Sequence, residues 1–261
     1  MEIIDIHTHI YPEKIAPAAV ANVRDFYQIY GGHMDGTAQM LIDRGKAAGI
    51  SKFVLLAVAN RPGQVQSINN FIARQVQAHD CFLGLGALHA RMEDIGTEAD
   101  RIAALGLKGV KLHPDFQGFP IDDPGLYPLY EAVQGRLPVL LHMGDPRSDH
   151  SHPARLRRVL ELFPRLDAIA AHFGGYTKWE EACRLLRDTG CVLDISSSLM
   201  FLPKADVQRY IGIYGAERIA FGTDYPIWDP VTEVDRFLEL ELTMEQKEQI
   251  AAKTARRILK L

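Results

Sequence analysis

Residues 3–9 read IIDIHTH, an apolar run that ends in two histidines separated by a single residue. Alternate residues of a β-strand face the same side and lie about 6.5 Å apart along it. The imidazoles of His7 and His9 can therefore approach one ion from the same side. The run predicts a buried strand whose carboxyl end carries metal ligands.

Apolar runs of this kind alternate with helix-patterned segments along the chain, which is typical of a parallel sheet built from βα units. Eight strands are predicted, at 3–9, 52–58, 82–88, 107–113, 138–142, 166–171, 191–195 and 218–221. The apolar spacing predicts helices between the strands, for example near 64–78, 99–105, 127–134, 154–163 and 178–187, and a last helix near 243–259. Thr243 is the expected N-cap of the last helix. Eight such repeats predict an α/β fold, a closed (β/α)8 TIM barrel in a single domain over residues 1–261.

Glycine follows several of the predicted helices, just before the next strand. Such a residue commonly takes the left-handed conformation that ends a helix. The glycines expected in that role are Gly49, Gly106, Gly135, Gly190 and Gly215. An open Rossmann-like sheet is the structural alternative, but no G-x-G-x-x-G motif follows the first strand.

The composition is that of an ordinary globular protein and excludes several classes of partner. The 261 residues are 47% hydrophobic and 24% charged, and the net charge is −4. A negative chain without a run of like charges is not expected to bind nucleic acid or an anionic membrane. The three cysteines show no C-x-x-C spacing, and neither a signal peptide nor a long apolar stretch is evident. We therefore expect a cytoplasmic protein with a small-molecule substrate. The composition does not decide between a monomer and a homo-oligomer.

Three further strands also end in residues that bind metals. His142 ends the fifth predicted strand, His172 ends the sixth, and Asp224 follows the eighth. The carboxyl ends of barrel strands meet at one face, where active sites lie. We expect His142 to add a third nitrogen, and Asp224 an oxygen, to the pair from the first strand. That set suits zinc, with manganese or iron as alternatives, although each histidine alone could instead form only a local hydrogen bond.

Five motifs, in order, resemble the amidohydrolase-related branch of the amidohydrolase superfamily. They are DIHTH at 5–9, GVKLHP at 109–114, LHMG at 141–144, AHFGG at 171–175 and FGTDYP at 221–226. The resemblance covers nearly the whole chain. It implies a divalent metal that activates a water for attack on a carbonyl carbon, or that supports a non-oxidative decarboxylation. The ligands it implies are His7, His9, His142 and Asp224, and His172 would bind a second metal or orient substrate and water.

Two residues have more than one interpretation. A divalent metal can lower the pKa of water from 15.7 to about 7. Asp224 is then the candidate general base for that water, and its alternative role is the N-cap of a helix. Lys111 stands where some members of the superfamily carry a carbamylated lysine between two metals. It could equally pair with an acid or bind a substrate carboxylate, so one ion or two stays open.

Other residues near the predicted active face are weaker candidates. Arg147, in the polar loop 144–152, could hold an anionic group of a substrate or simply face the solvent. Trp228 could form a wall of the pocket or only pack. The long connection over residues 10–36 could act as a lid.

These inferences lead to a metal-dependent hydrolase of a small carbonyl substrate such as an amide, lactone or ester. The alternative is a metal-dependent decarboxylase of a small aromatic or unsaturated carboxylic acid. It would use the same ligands, together with a basic group that binds the substrate carboxylate. The chain is short for a decarboxylase of this kind, which favours the hydrolase. A barrel that binds metal without catalysis is disfavoured, because buried ligands cost desolvation. A related DNase is disfavoured by the negative charge.

Overall fold

The computed structural model describes residues 1–30 and 34–261. Eight parallel strands follow one another in chain order. They are β1 (Ile4–Thr8), β2 (Lys52–Leu55), β3 in two segments (Phe82–Gly84 and Gly86–Ala87), β4 (Val110–Leu112), β5 (Val139–Leu141), β6 (Ala168–Ala170), β7 (Val192–Asp194) and β8 (Ile219–Ala220). All eight lie within the predicted runs.

Backbone hydrogen bonds join the strands into a ring. The two segments of β3 meet at Leu85, whose N–H donates to Leu55 O of β2 at 2.9 Å, and the second segment pairs with β4. The ring closes between β1 and β8, where Ile6 N–H donates to Phe221 O at 3.0 Å. The predicted (β/α)8 barrel is confirmed, and the open-sheet alternative is wrong.

Helices connect the strands and cover the barrel. They are α1 (Ala16–Tyr27), α2 (Ala38–Ala47), α3 (Val65–Ala78), α4 (Ile95–Ala104), α5 (Pro114–Gln117), α6 (Tyr127–Val133), α7 (Pro153–Leu162), α8 (Trp179–Leu186), α9 (Lys204–Tyr214), α10 (Pro230–Leu238), α11 (Met244–Glu248) and α12 (Thr254–Leu259). None of the helices in the described ranges is both long enough and apolar enough to cross a membrane.

The strands separate two layers of apolar side chains, because successive residues of a strand point to opposite faces. The outer layer packs under the helices. The inner layer fills the barrel with Ile4, Ile6, Val54, Leu56, Leu85, Leu140, Ile169, Val192 and Ala220. Ala255, Ile258 and Leu259 of α12 join this inner layer. The last helix therefore closes the end of the barrel where the strands begin.

The predicted helix over 243–259 is confirmed in its extent, but it is not a regular α-helix along its whole length. Thr243 does cap it, since its side chain accepts from Gln246 N–H, and its own backbone N–H donates to Gln246 Oε1. A π-helical turn at Gln249–Lys253 then separates α11 from α12. The carbonyl of Ile250 in that turn accepts a bond from Phe221 N–H at 2.9 Å, so the turn ties the C-terminal helices to the barrel.

The glycine prediction holds at four of its five positions. Gly49, Gly106, Gly135 and Gly215 have positive φ, as expected of residues that end helices. Gly190 does not, and its prediction is wrong. Helix α8 ends at Leu186, and Thr189 N–H donates to Leu186 O at 3.1 Å, so the chain has turned before it reaches Gly190.

Candidate metal centre

Three predicted ligands converge at the carboxyl end of the barrel. His7 Nε2 lies 3.5 Å from Asp224 Oδ1, and His9 Nε2 lies 3.6 Å from the same oxygen. One donor atom of each of the three residues lies within 4.8 Å of the others. Ligands that are each about 2.0–2.2 Å from a shared zinc ion have separations of this size.

The strand that carries the two histidines changes its inward face just before them. Ile4 and Ile6 point into the barrel, yet the next inward side chain is His7. The pairing of β1 with β2 has a register shift between Asp5 and Thr8. An irregularity of this kind redirects side chains, and here it brings His7 to the mouth of the barrel beside His9.

The other ring nitrogen of each histidine is held by an acceptor. His7 Nδ1 lies 2.9 Å from Asp194 Oδ2, and His9 Nδ1 lies 3.1 Å from Leu56 O. A carbonyl or carboxylate acceptor places the proton on Nδ1, which leaves the lone pair on Nε2 facing Asp224. The donor set therefore fits a divalent ion in tautomer as well as in distance.

The charge states also suit a cation. Burial, together with His7 and Lys111, lowers the pKa of His9 to about 3. Burial alone would raise the pKa of Asp224, but the neighbouring His7, His172 and His9 hold it below its ordinary value. A neutral imidazole and an ionised carboxylate are the forms in which these groups bind metal.

Asp224 is positioned by contacts that the sequence does not reveal. Its backbone is left-handed, with φ of 63°, and Ser197 Oγ donates to its Oδ2 at 2.5 Å. Trp228 Nε1 donates to Ser197 Oγ at 2.8 Å, so Trp228 supports Asp224 through the serine. The alternative role of Asp224 as a helix N-cap does not apply, since Asp229 caps α10.

His142 lies in the same cavity but outside the group formed by His7, His9 and Asp224. Its Nδ1 is 3.1 Å from His172 Nε2, and its Nε2 is 3.3 Å from the Tyr27 hydroxyl. Burial, together with other imidazoles nearby, keeps its pKa well below the ordinary value.

Tyr27 joins His142 to a second histidine. The Tyr27 hydroxyl lies 2.8 Å from His113 Nε2, and the rings of His113 and His142 stack at 4.0 Å between centroids. Asp115 Oδ2 lies 3.9 Å from His142 Nε2. The donor atoms of His113, Asp115 and His142 thus form a separate cluster.

His172 is fixed against strand β7. Its Nδ1 lies 2.9 Å from Ser196 O, and its backbone N–H donates to Asp194 Oδ1 at 3.1 Å. Burial lowers the pKa of His172 to about 4, even though Asp224 raises it. Asp194 thus holds the ring of His7 and the backbone of His172, and the donor atoms of the three residues lie within 4.8 Å of one another.

Lys111 occupies the floor of the site. Its side chain is 1% exposed, and its Nζ lies 3.4 Å from His7 Nε2. Lys111 pairs in register with Leu140, an inner-layer residue, so it points into the barrel. Burial lowers the pKa of Lys111 to about 8, while Asp194 and Asp224 oppose that shift.

A cavity of about 740 Å³ opens onto these residues. Its lining includes His7, His9, Lys111, His142, His172 and Asp224. Helix α1, within the predicted lid at 10–36, forms one wall through Tyr27 and its neighbours. The lid residues Gly31, Gly32 and His33 lie outside the described residues.

Arg147 does not line this cavity. It forms a salt bridge with Asp145 at 2.6 Å, and its guanidinium lies 3.7 Å from the centre of the Phe26 ring. The residue therefore braces the end of α1 against the loop after β5.

Sequence reasoning missed Asp194, Ser196, Ser197, Tyr27 and His113 as parts of the site. A signal was present for three of them, since β7 ends in Asp194 and the chain continues into a polar run, so that residues 194–198 read DISSS. The carboxyl end of a barrel strand is where such a run can reach the active site. Tyr27 carried no comparable signal, because it lies in a helix far from the strand ends in sequence.

Comparison with known proteins is consistent with this architecture. The amidohydrolase family model matches residues 4–261. A 2,6-dihydroxybenzoate decarboxylase is 19% identical, with a TM-score of 0.80 and 100% of both chains covered. A dihydroxybenzoic acid decarboxylase from Polaromonas, solved with bound manganese, is 18% identical, with a TM-score of 0.78 and coverage of 100% of this chain and 97% of that one. A protein from Pseudomonas putida, described as a candidate 2-pyrone-4,6-dicarboxylic acid hydrolase, is 21% identical, with a TM-score of 0.71 and coverage of 99% and 97%.

The predictions of a metal-dependent enzyme and of its superfamily are confirmed at the level of the family. The solved structures share the barrel along the whole length of the chain. Since the family model covers all but the first three residues, the chain belongs to the amidohydrolase family.

Proposed function

We propose that the protein is a metal-dependent decarboxylase of a small aromatic or unsaturated carboxylic acid. The observation that carries the proposal is the buried side chain of Lys111, whose Nζ lies 3.4 Å from His7 Nε2 at the floor of a largely apolar cavity. A buried cation requires an anionic partner, and a substrate carboxylate would supply one. The decarboxylases among the structurally similar proteins support this choice over hydrolysis, the main prediction from sequence.

We assign the metal to His7, His9 and Asp224, with His142 as the fourth ligand expected from the sequence. The ion, when bound, would supply positive charge that polarises the substrate. We assign one ion, because His7 Nδ1 carries the proton that it donates to Asp194, so only Nε2 of His7 is free to bind an ion. Zinc and manganese both suit this donor set, and manganese accompanies one similar structure.

The reaction breaks the bond between the carboxylate carbon and the ring or vinyl carbon. The electron pair of that bond remains on the ring carbon, which takes up a proton, and carbon dioxide leaves. We assign the proton transfer to Asp224, which takes a proton from a substrate hydroxyl and passes it to the carbon. Solvent then returns a proton to the hydroxyl, so each turnover consumes one proton.

We assign His172 to orienting the substrate. Its ring is fixed at Nδ1 by Ser196 O, and its Nε2 faces the cavity beside His142. A fixed ring can hold a substrate oxygen in one direction without reorganisation during the reaction. Lys111 then acts as an ammonium that holds the carboxylate, not as a carbamylated bridge between two ions.

Hydrolysis is the second candidate, favoured by the position of Asp224. Its carboxylate lies near both imidazoles, and its lowered pKa keeps it ionised, which is the form that can accept a proton from water. A lactone or pyrone ring that carries a carboxylate would fit the same cavity and the same ammonium. The similar protein from Pseudomonas putida is described as acting on such a compound.

Isotope labelling distinguishes the two reactions. Protein loaded with manganese or zinc is incubated with 2,6-dihydroxybenzoate, other hydroxybenzoates or 2-pyrone-4,6-dicarboxylate in D2O and in ¹⁸O-water. Decarboxylation releases carbon dioxide and places deuterium on the ring carbon. Hydrolysis places ¹⁸O in a product carboxylate and releases no carbon dioxide.

We expect the wild type to release carbon dioxide and to place deuterium on the ring carbon. Asp224→Asn should do neither. The control is Asp235→Asn on the exposed face of α10, which removes a carboxylate of the same kind far from the donor atoms. Product that carries ¹⁸O without carbon dioxide would establish the hydrolase instead.

A further inference from the structure

The cavity is much larger than the metal site needs. Its volume is about 740 Å³, whereas a cavity of about 150 Å³ holds a benzene ring. A single-ring acid placed on the donor atoms would leave most of the space empty. The remainder lies in a cleft between helices α1 and α3, continuous with the metal site.

Helix α1 presents an apolar stripe to this cleft. Ile15, just before the helix, and then Ala19, Val23 and Phe26 line the cavity. Their spacing of four, four and three residues places them on one helical face. Ile15 is 52% exposed, and the buried residues of α1 are only Ala16 and Val20, on another face. Most of the helix's larger apolar side chains therefore face the cleft instead of the core.

Helix α3 provides the opposite wall in the same way. Ser67, Ile68, Phe71 and Arg74 line the cavity at helical spacing, and the other face of α3 is buried in the barrel wall. The floor between the helices is made by Leu56, Ala57 and Val58, which follow β2. The α1 wall and the floor of the cleft are thus largely apolar, and the α3 wall places Ile68 and Phe71 between Ser67 and Arg74.

The charges along the cleft restrict what it can hold. Asp224, at the metal site, is the single acidic side chain among the described residues that line the cavity. Arg74, at the outer end of the α3 stripe, is exposed. A cationic group would find no anionic partner in the cleft, whereas a neutral apolar group would bury the side chains of both stripes.

We propose that the substrate carries a neutral alkyl or aryl tail that lies in the cleft between α1 and α3, with its carboxylate at Lys111. This inference rests on the proposed function for the identity of the reacting group. Continuity of the cleft with the donor atoms makes the substrate itself the occupant. Ligand sites of this size are largely apolar, with a few polar groups that fix orientation.

The test measures binding apart from turnover. A series of 4-n-alkyl-2-hydroxybenzoates, from methyl to hexyl, is titrated into the metal-loaded protein by calorimetry. Each added methylene should tighten binding by about fourfold until the cleft is filled. The same compounds are assayed separately for release of carbon dioxide.

Two neighbouring alanines of α1 offer a matched pair of variants. Ala19 lines the cleft and Ala18 is exposed on the same helix. Ala19→Phe should fill the cleft and weaken binding of the hexyl compound by at least about tenfold, while the methyl compound binds as before. Ala18→Phe should bind the whole series like the wild type.

An affinity that does not depend on chain length would overturn the inference, whether or not carbon dioxide is released. Affinity that rises with chain length without any carbon dioxide would overturn the proposed function and leave the cleft assignment intact. A dimer in solution that Ala19→Phe dissociates would also overturn the inference, since a second copy would then cover the stripe.

Discussion

His7 stands where most contacts of the site meet. Its Nε2 faces Asp224, its Nδ1 faces Asp194, and its side chain approaches the backbone after β8. A Cβ at Gly222 would lie 2.9 Å from His7 Cβ. The glycine before Thr223 and Asp224 is therefore needed for the close approach of the last strand to the first.

At the residue scale, we predict that Asp194→Asn weakens metal binding by about 10-fold to 100-fold. The carboxylate that fixes the tautomer of His7 would be replaced by an amide, which can present either a donor or an acceptor. Metal affinity is measured by competition with a chromophoric chelator.

Asp235→Asn on α10 serves as the control and should bind metal like the wild type. Unchanged affinity in Asp194→Asn would show that His7 needs no help from Asp194 to hold the ion.

The sequence predicted which residues at the strand ends converge, but it did not predict the residues that hydrogen-bond to them. His7, His9 and Asp224 converge, because the ends of barrel strands meet wherever the fold forms. The contact between His7 and Asp194 joins residues separated by 187 positions, and its geometry depends on how adjacent strands are aligned. The direction in which the His142 ring points depends on Tyr27 from a separate helix. No local pattern encodes either contact.

Among the elements, α10 contains a buried acid. Glu233 is 0% exposed, bonds Arg236 through Oε1, and its Oε2 has no hydrogen-bond partner within the described ranges. Burial raises the pKa of Glu233 from 4.5 to about 7, although Arg236 lowers it. A group whose pKa is higher in the folded state contributes stability below its unfolded pKa and loses it as the pH rises.

We therefore predict that Glu233→Gln becomes more stable, relative to the wild type, as the pH rises from 5 to 8. The ionised carboxylate costs the wild type stability over this interval, and the amide does not titrate. The difference in the free energy of unfolding should change by up to about 3 kcal/mol.

Urea denaturation at several pH values measures this difference. Glu131→Gln on the exposed face of α6 should show a much smaller pH dependence relative to the wild type. Equal pH dependence in both variants would mean that Glu233 is ionised in the folded protein throughout this interval.

Element boundaries were predicted where periodicity and capping agree, and were missed where tertiary contacts intervene. Thr243 was recognisable as a cap, because its partner Gln246 lies three residues away. In the π-helical turn that follows, the Ile250 carbonyl accepts from Phe221 N–H, and the two residues lie far apart in sequence. The register shift in β1 likewise depends on its pairing with β2.

In the whole molecule, the last helix and the metal donors lie at opposite ends of the barrel. Helix α12 closes the end where the strands begin, and Arg256 bonds Glu2 there at 2.6 Å. The donor atoms lie at the other end. Length and βα alternation were enough to predict this overall arrangement, because the eight strands with connecting helices have few ways to bury their faces.

At this scale, we predict that Ile258→Ala lowers the free energy of unfolding by about 2–5 kcal/mol. Ile258 is 5% exposed and packs into the inner layer of the barrel, so the substitution leaves a cavity there. Denaturant unfolding measures the loss of stability. A metal titration of the folded variant, without denaturant, should give the same affinity as the wild type.

Leu238→Ala, at a position 43% exposed in α10, is the control and should change stability by no more than about 0.5 kcal/mol. A loss of metal affinity in folded Ile258→Ala would mean that the two ends of the barrel are coupled.

The cleft and the donor atoms belong to different parts of the architecture: the donors extend from strand ends, whereas two side walls of the cleft are outer helices. Variation at the cleft-lining positions of α1 and α3, with Tyr27 kept, can alter which molecules enter without moving a ligand atom. A library confined to those two helical stripes would therefore sample new specificities on an unchanged reaction centre. The same separation would let related chains differ in substrate specificity while they catalyse the same type of reaction.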